Sequence, residues 1–280
     1  MDFKRLIKNI HLSTSIITLI SIVLLTLSFI FSFDAKNGYF VDGILPIMFQ
    51  IFFVLGIILS LACAFAIKKD KIIKTENTYI KQKQIFLFFA AATIIFSVVF
   101  NLFVIDEYFT EEIIGLCFFG LFVFLCAIKG GYEYSYLKLL FLLLSSIFPT
   151  FAMLDTANDM ERHTNSVENM LTSIFAIAFL MYILYEGNRI FSGEHSRWHL
   201  SSLLLISHTG LVTSASYMIA YLLGKVDEQT RFYQMVLILV VSLFAALELQ
   251  RFVKDAEART KEEWRELEAP EEIIEEITEE

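Results

Sequence analysis

The stretch LSSLLLISHTGLVTSASYMIAYLL, residues 200–223, decides the fold. At about 1.5 Å per helical residue it covers a hydrocarbon core about 30 Å thick, and it alone among the long apolar runs carries a histidine in its interior. On a helix of 3.6 residues per turn, Ser202, Ser207, Thr209, Gly210, Thr213, Ser214, Ser216, Tyr217 and Tyr221 fall on one broad arc. The opposite side is aliphatic, with Leu204, Leu211, Val212, Met218, Ile219 and Leu222, and His208 sits in its middle. Neither side suits lipid alone, so this helix is predicted to lie inside a bundle of others.

Working outward, apolar runs of similar length recur along the chain at 12–33, 44–67, 85–105, 112–128, 137–154, 170–190 and 233–253. Together with 200–223 they predict an all-α, polytopic transmembrane bundle of about eight spans over residues 1–254, in contact with the lipid bilayer. A hydrophobic share of 56% agrees with that class. The first run follows Lys4, Arg5 and Lys8 but continues without a small-residue cleavage site, so it reads as a retained span rather than a signal peptide. Orientation follows the basic residues. Lys68, Lys69, Lys71, Lys74, Lys81 and Lys83 crowd the link after the second run, while the links after runs one, three and five are acidic, so both termini are expected on the cytoplasmic side. Lys225 and Arg231 after the seventh run fit less well. The wealth of isoleucine, phenylalanine and lysine suggests a bacterial cytoplasmic membrane as the location.

Several spans carry packing signals. Thr14, Thr18, Ser21, Ser28 and Ser32 form a hydroxyl stripe in the first, and Gly56, Ser60 and Ala64 repeat four apart in the second. Gly115 and Gly120 allow the fourth span a close neighbour. Pro149 predicts a kink in the fifth, because proline removes a backbone donor and crowds the preceding turn.

Ionisable groups inside a membrane are costly and tend to be functional. Glu186, near Arg189, and Glu248, near Arg251, stand about one turn from the cytoplasmic surface, where an interfacial ion pair accounts for each. The sharper expectation is that Glu186, His208 and Glu248 converge, with Ser207 and Thr209 nearby, on one inner-leaflet polar site. His195 and His199 are spaced i,i+4 but lack an obvious third ligand, so no metal is expected there and the pair reads as interfacial anchoring beside Trp198. No HExxH, Walker loop or GxSxG is present, so neither a cofactor nor a catalytic residue is assigned.

Residues 255–280 form an acidic tail. They hold twelve acidic residues against Arg259, Lys261 and Arg265, a balance of −9 that equals the net charge of the whole chain. The i,i+4 pairs Asp255–Arg259 and Glu257–Lys261 predict that the last span continues as a helix, broken at Pro270. Trp264 and Leu267, then Ile273, Ile274 and Ile277, give the tail an apolar edge on which a basic cytoplasmic protein could dock; an anionic leaflet or nucleic acid would be repelled. Two function classes follow. The first is a noncatalytic accessory, scaffold or sensory membrane subunit; the alternative is a transporter or channel for a small solute or ion, proton-coupled in its sharpest form, using spans five to eight.

Overall fold

The structure is a computed structural model describing residues 3–34, 38–41, 43–75, 78–103, 110–129, 133–158, 166–226 and 229–268. Its helices are α1 (Phe3–Phe31), α2 (Ile44–Ala66), α3 (Thr78–Lys81), α4 (Lys83–Phe103), α5 (Thr110–Ile128), α6 (Ser135–Leu144), α7 (Ile147–Asn158), α8 (Val167–Ser192), α9 (Arg197–Leu222), α10 (Gln229–Asp255) and α11 (Lys261–Glu268). Short strands β1 (Phe33–Asp34), β2 (Tyr39–Phe40), β3 (Ile72–Lys74) and β4 (Glu257–Arg259) lie in the links. Among the described residues, seven helical stretches are long and apolar enough to cross a membrane. The protein is therefore an all-α, multi-pass integral membrane protein. In α4 the apolar stretch counted is shorter, Lys83–Val99.

Helix α9 packs against α1, α2, α8 and α10, and both of its sides are covered. Two glycines set how closely. A Cβ at Gly56 would overlap the His208 ring, and one at Gly210 would overlap the Ser242 hydroxyl and the Phe175 ring. Most of the hydroxyls of α9 turn back on its own carbonyls, as Thr209 does to Leu205 at 2.8 Å and Thr213 to Thr209 at 2.7 Å. Ser201 and Ser216 instead reach across, to the carbonyls of Ser60 (2.5 Å) and Ile22 (3.1 Å). The serine and threonine hydroxyls named here are thus satisfied by backbone carbonyls. Beside it, Phe119, Phe179 and Phe244 form an edge-to-face core, with Phe119 5.3 Å from each of the other two.

The fifth apolar run breaks one turn earlier than its proline. Helix α6 ends at Leu144 and α7 begins at Ile147, with the Ser145 and Ser146 hydroxyls bonded back to Leu142 and Leu143 at 2.6 Å. A proline ring crowds the carbonyl four residues before it. For Pro149 that residue is Ser145, so the bend sits where the clash would fall.

The tail departs from the expected helix. Helix α10 ends at Asp255, and residues 257–259 pair as β4, antiparallel to β3, with Ile73 opposite Ala258. An exposed i,i+4 ion pair contributes only a few tenths of a kcal/mol, less than a strand gains from a waiting partner. Arg259 bonds Glu257 at 2.7 Å instead of reaching Asp255. Thr260 and Glu263 then form a reciprocal capping box, Thr260 N to Glu263 Oε2 at 2.6 Å and Glu263 N to Thr260 Oγ1 at 3.3 Å, which starts α11.

Candidate functional site

The link between α8 and α9 builds the site. Gly193, at φ +68°, closes α8 in the left-handed conformation, and Ser196 caps α9 by accepting a bond from His199 N at 3.1 Å. This tight turn swings His195 and His199 back against the end of α8, which carries Glu186 and Arg189. Helix α10 adds Glu248, and α3 inserts Tyr79 from the link after α2.

The side chains meet without solvent. Glu186 and His199 are 0% exposed, Glu248 4% and Tyr79 2%. The Tyr79 hydroxyl donates to Glu248 Oε1 at 2.8 Å and lies 3.4 Å from Glu186 Oε1, bridging the two carboxylates. Tyr182 donates to Glu248 Oε2 at 3.3 Å. Arg189 grips Glu186 in a two-pronged pair, Nε to Oε2 at 2.6 Å and Nη2 to Oε1. His199 Nε2 lies 3.0 Å from Glu186 Oε2. That nitrogen sits off the line of a hydrogen bond and meets no acceptor in proper geometry. On its other side, His199 Nδ1 lies 2.8 Å from His195 Nδ1, and His195 Nε2 lies 2.8 Å from Thr75 Oγ1. Thr75 in turn lines a pocket of about 440 Å³ with Lys4, Lys74, Lys254, Asp255, Glu257 and Trp264. A chain of polar contacts therefore runs from buried Glu248 to the end of the bundle.

Two of these groups lie outside the spans. Burial pushes the Tyr79 phenol well above its usual range, and the charges of Glu186 and Glu248 push it further. Burial holds His195 well below its usual 6.5, with the His199 and Arg189 charges acting the same way. Tyr79 is therefore a neutral donor and His195 a neutral imidazole near pH 7.

Of the residues singled out from sequence, Glu186 and Glu248 come together and His208 does not join them. The His208 ring stacks on Phe53 at 5.3 Å, with Nδ1 2.8 Å from Thr18 Oγ1 and Nε2 3.0 Å from the Phe53 carbonyl. With Ser207, Thr14 and Thr18 it lines a separate cavity of about 210 Å³ between α1, α9 and α10. Thr209 is buried and bonded to its own helix. The histidines of the site are His195 and His199, buried rather than anchored at an interface. The third donor that their spacing lacked comes from other helices, where no local motif announces it. Tyr79 carried no signal in its polar link. Trp264 docks on its own chain, its Nε1 donating to the Ile72 carbonyl at 3.3 Å, with Lys74 Nζ 4.8 Å from the ring centre and Lys71 paired to Glu263 at 3.3 Å. Leu267 is exposed. Ile273, Ile274 and Ile277 lie outside the described residues.

A second buried network occupies the opposite end. Arg231 donates to Asn169 Oδ1 (2.6 Å) and Gln234 Oε1 (2.7 Å), and Gln234 donates to Glu112 at 3.1 Å. Arg231 is thus part of a structural network, which explains its poor fit to the charge rule for loops. Comparison with protein-family models, with curated proteins and with solved structures finds no match for this chain.

Proposed function

We propose that the chain is a noncatalytic sensory or accessory subunit of the bacterial cytoplasmic membrane, in which the buried cluster governs how the acidic tail is held. One observation carries this reading. His195 belongs to both parts: its side chain contacts His199 and Thr75, while its backbone N donates to the Ile73 carbonyl at 2.9 Å, in the strand that pairs with the tail. A change in charge or ligand at Glu186, His199 and Glu248 would reach β3 through His195, and through Tyr79 in the link that follows the strand. The tail beyond, with Leu267 at its exposed edge and the three isoleucines after it, is then the surface offered to a basic cytoplasmic partner. The same reading takes α4 as an eighth span and places both termini in the cytoplasm, beside the basic link that holds β3.

The transporter alternative is less well supported. Between the two polar networks α5, α8 and α10 present Phe119, Phe179 and Phe244, each buried and in ring contact, where a permeating solute would need polar partners.

The test uses Trp264 as a reporter. The chain has two tryptophans, so Trp198→Phe leaves Trp264 alone. In that background Glu186→Gln is expected to raise quenching of Trp264 by a soluble quencher at least twofold and to speed proteolysis of the tail. Unchanged quenching would make the tail a static strap and remove the sensory reading.

A further inference from the structure

Glu186, His199 and Glu248 come from three different helices, yet one donor atom from each lies within 4.8 Å of the others, and all three residues are buried. Ligands about 2.1 Å from a tetrahedral ion sit roughly 3.4 Å apart, so an ion would draw the most widely separated donors together by about 1 Å and ease apart His199 Nε2 and Glu186 Oε2, now at 3.0 Å. We infer that these residues form a binding site for a divalent transition-metal ion, with His199 Nε2 and one oxygen each of Glu186 and Glu248 as ligands. This goes beyond the sensory reading and does not depend on whether the tail responds.

The His199 imidazole is the first reason. Its Nε2 is buried, 3.0 Å from a carboxylate oxygen, yet off the line that a hydrogen bond requires. Two atoms that approach without a donor aimed at an acceptor are placed as two lone pairs converging on a third centre would be. The surroundings are the second. A ligating histidine donates its other N–H to an orienting partner, and here His199 Nδ1 has His195 Nδ1 at 2.8 Å. With the proton on His199 Nδ1, His195 carries its own on Nε2 and donates it to Thr75 Oγ1 at 2.8 Å. Both tautomers are then fixed and Nε2 of His199 keeps a free lone pair. The carboxylates are oriented likewise, Glu186 by Arg189 and Glu248 by Tyr79 and Tyr182.

Donor chemistry narrows the ion. One imidazole and two carboxylates, held without solvent, suit zinc, with cobalt as its spectroscopic substitute, better than magnesium or calcium, which take all-oxygen sets. Arg189 opposes a cation and its Nε bonds the same Glu186 oxygen, Oε2, that faces His199 Nε2, so the ion would share that oxygen with the guanidinium or use a remaining lone pair of the carboxylate.

The experiment strips the full-length protein in detergent with a chelator, adds Zn²⁺ or Co²⁺, and measures bound metal after dialysis. One equivalent is expected, with affinity lowered at least tenfold in Glu248→Gln and His199→Gln, while His208→Gln binds as the parent does. Co²⁺ in the unaltered chain is expected to give visible d–d bands that Glu248→Gln and His199→Gln lose. X-ray absorption on the same sample should count a single imidazole, and this holds even if a variant fails to fold. No binding by the parent, equal binding by folded variants, or two imidazoles at the metal would each overturn the assignment.

Discussion

Arg189 shows what a single charge does in this bundle. Its guanidinium, 19% exposed, holds the fully buried Glu186 with two bonds, and removing the partner of a buried charge costs more than the pair is worth, because that charge is stranded. Arg189→Ala is expected to lower stability by about 3 kcal/mol or more, read as a fall in the thermal midpoint in detergent. Arg189→Ala with Glu186→Gln should recover part of that loss, since no charge is then left behind. A double variant as unstable as the single would place the cost in lost packing of the Arg189 stem over Tyr79, whose ring centre lies 5.5 Å from the guanidinium carbon. Residues of this kind were partly legible in the sequence. Glu186 and Glu248 stood out because a carboxylate near a membrane needs a reason. His208 stood out on the same ground and has a local reason, the Thr18 hydroxyl and a carbonyl of α2. His199 was set aside for want of a third ligand, which only tertiary structure supplies.

Elements add what single residues lack, namely coupling. The clasp joins β3, β4 and α11 to the α8–α9 turn, and His195 is its hinge point, facing His199 on α9, Glu186 and Arg189 on α8, the Phe252 ring on α10 at 5.0 Å and Thr75 after β3. Its proton affinity is depressed in the folded protein, so the native state binds fewer protons below pH 6.5 than the released segment does. Stability from this group is present above that pH and is lost as pH falls through the window beneath it. In the Trp198→Phe background, quenching of Trp264 should therefore rise as pH is lowered from about 7.5 to about 5, and His195→Asn should flatten the profile. A rise of the same size in His195→Asn would assign the transition to the carboxylates of the tail. The clasp itself was not legible. The i,i+4 charges of 255–261 favour a helix locally, and the competing strand becomes visible only when Ile72–Lys74, nearly two hundred residues earlier, is beside it. The long helices were legible because lipid leaves the backbone no other choice.

At the scale of the whole molecule, the clasp also counts the crossings. Strands β3 and β4 are paired at one end of the bundle, so an even number of spans must separate residue 74 from residue 257. Helices α5, α8, α9 and α10, with the bent pair α6–α7, make five; we propose α4 as the sixth, its apolar stretch, Lys83–Val99, being shorter than the others. With α1 and α2 before them, and Lys4 lining the same pocket as Lys74 and Lys254, the proposed total is eight with both termini on one side. Lys69 lies in the link at that end and Lys225 in the turn between α9 and α10, which parity assigns to the other; both are exposed. With Cys117 replaced by Ala and Cys63 and Cys126 buried, an impermeant maleimide applied to intact cells should label Lys225→Cys and leave Lys69→Cys untouched until the membrane is opened. The reverse pattern would invert the orientation while keeping the parity. Labelling of both from outside would mean that α4 does not cross, and the pairing of β3 with β4 could not survive that outcome.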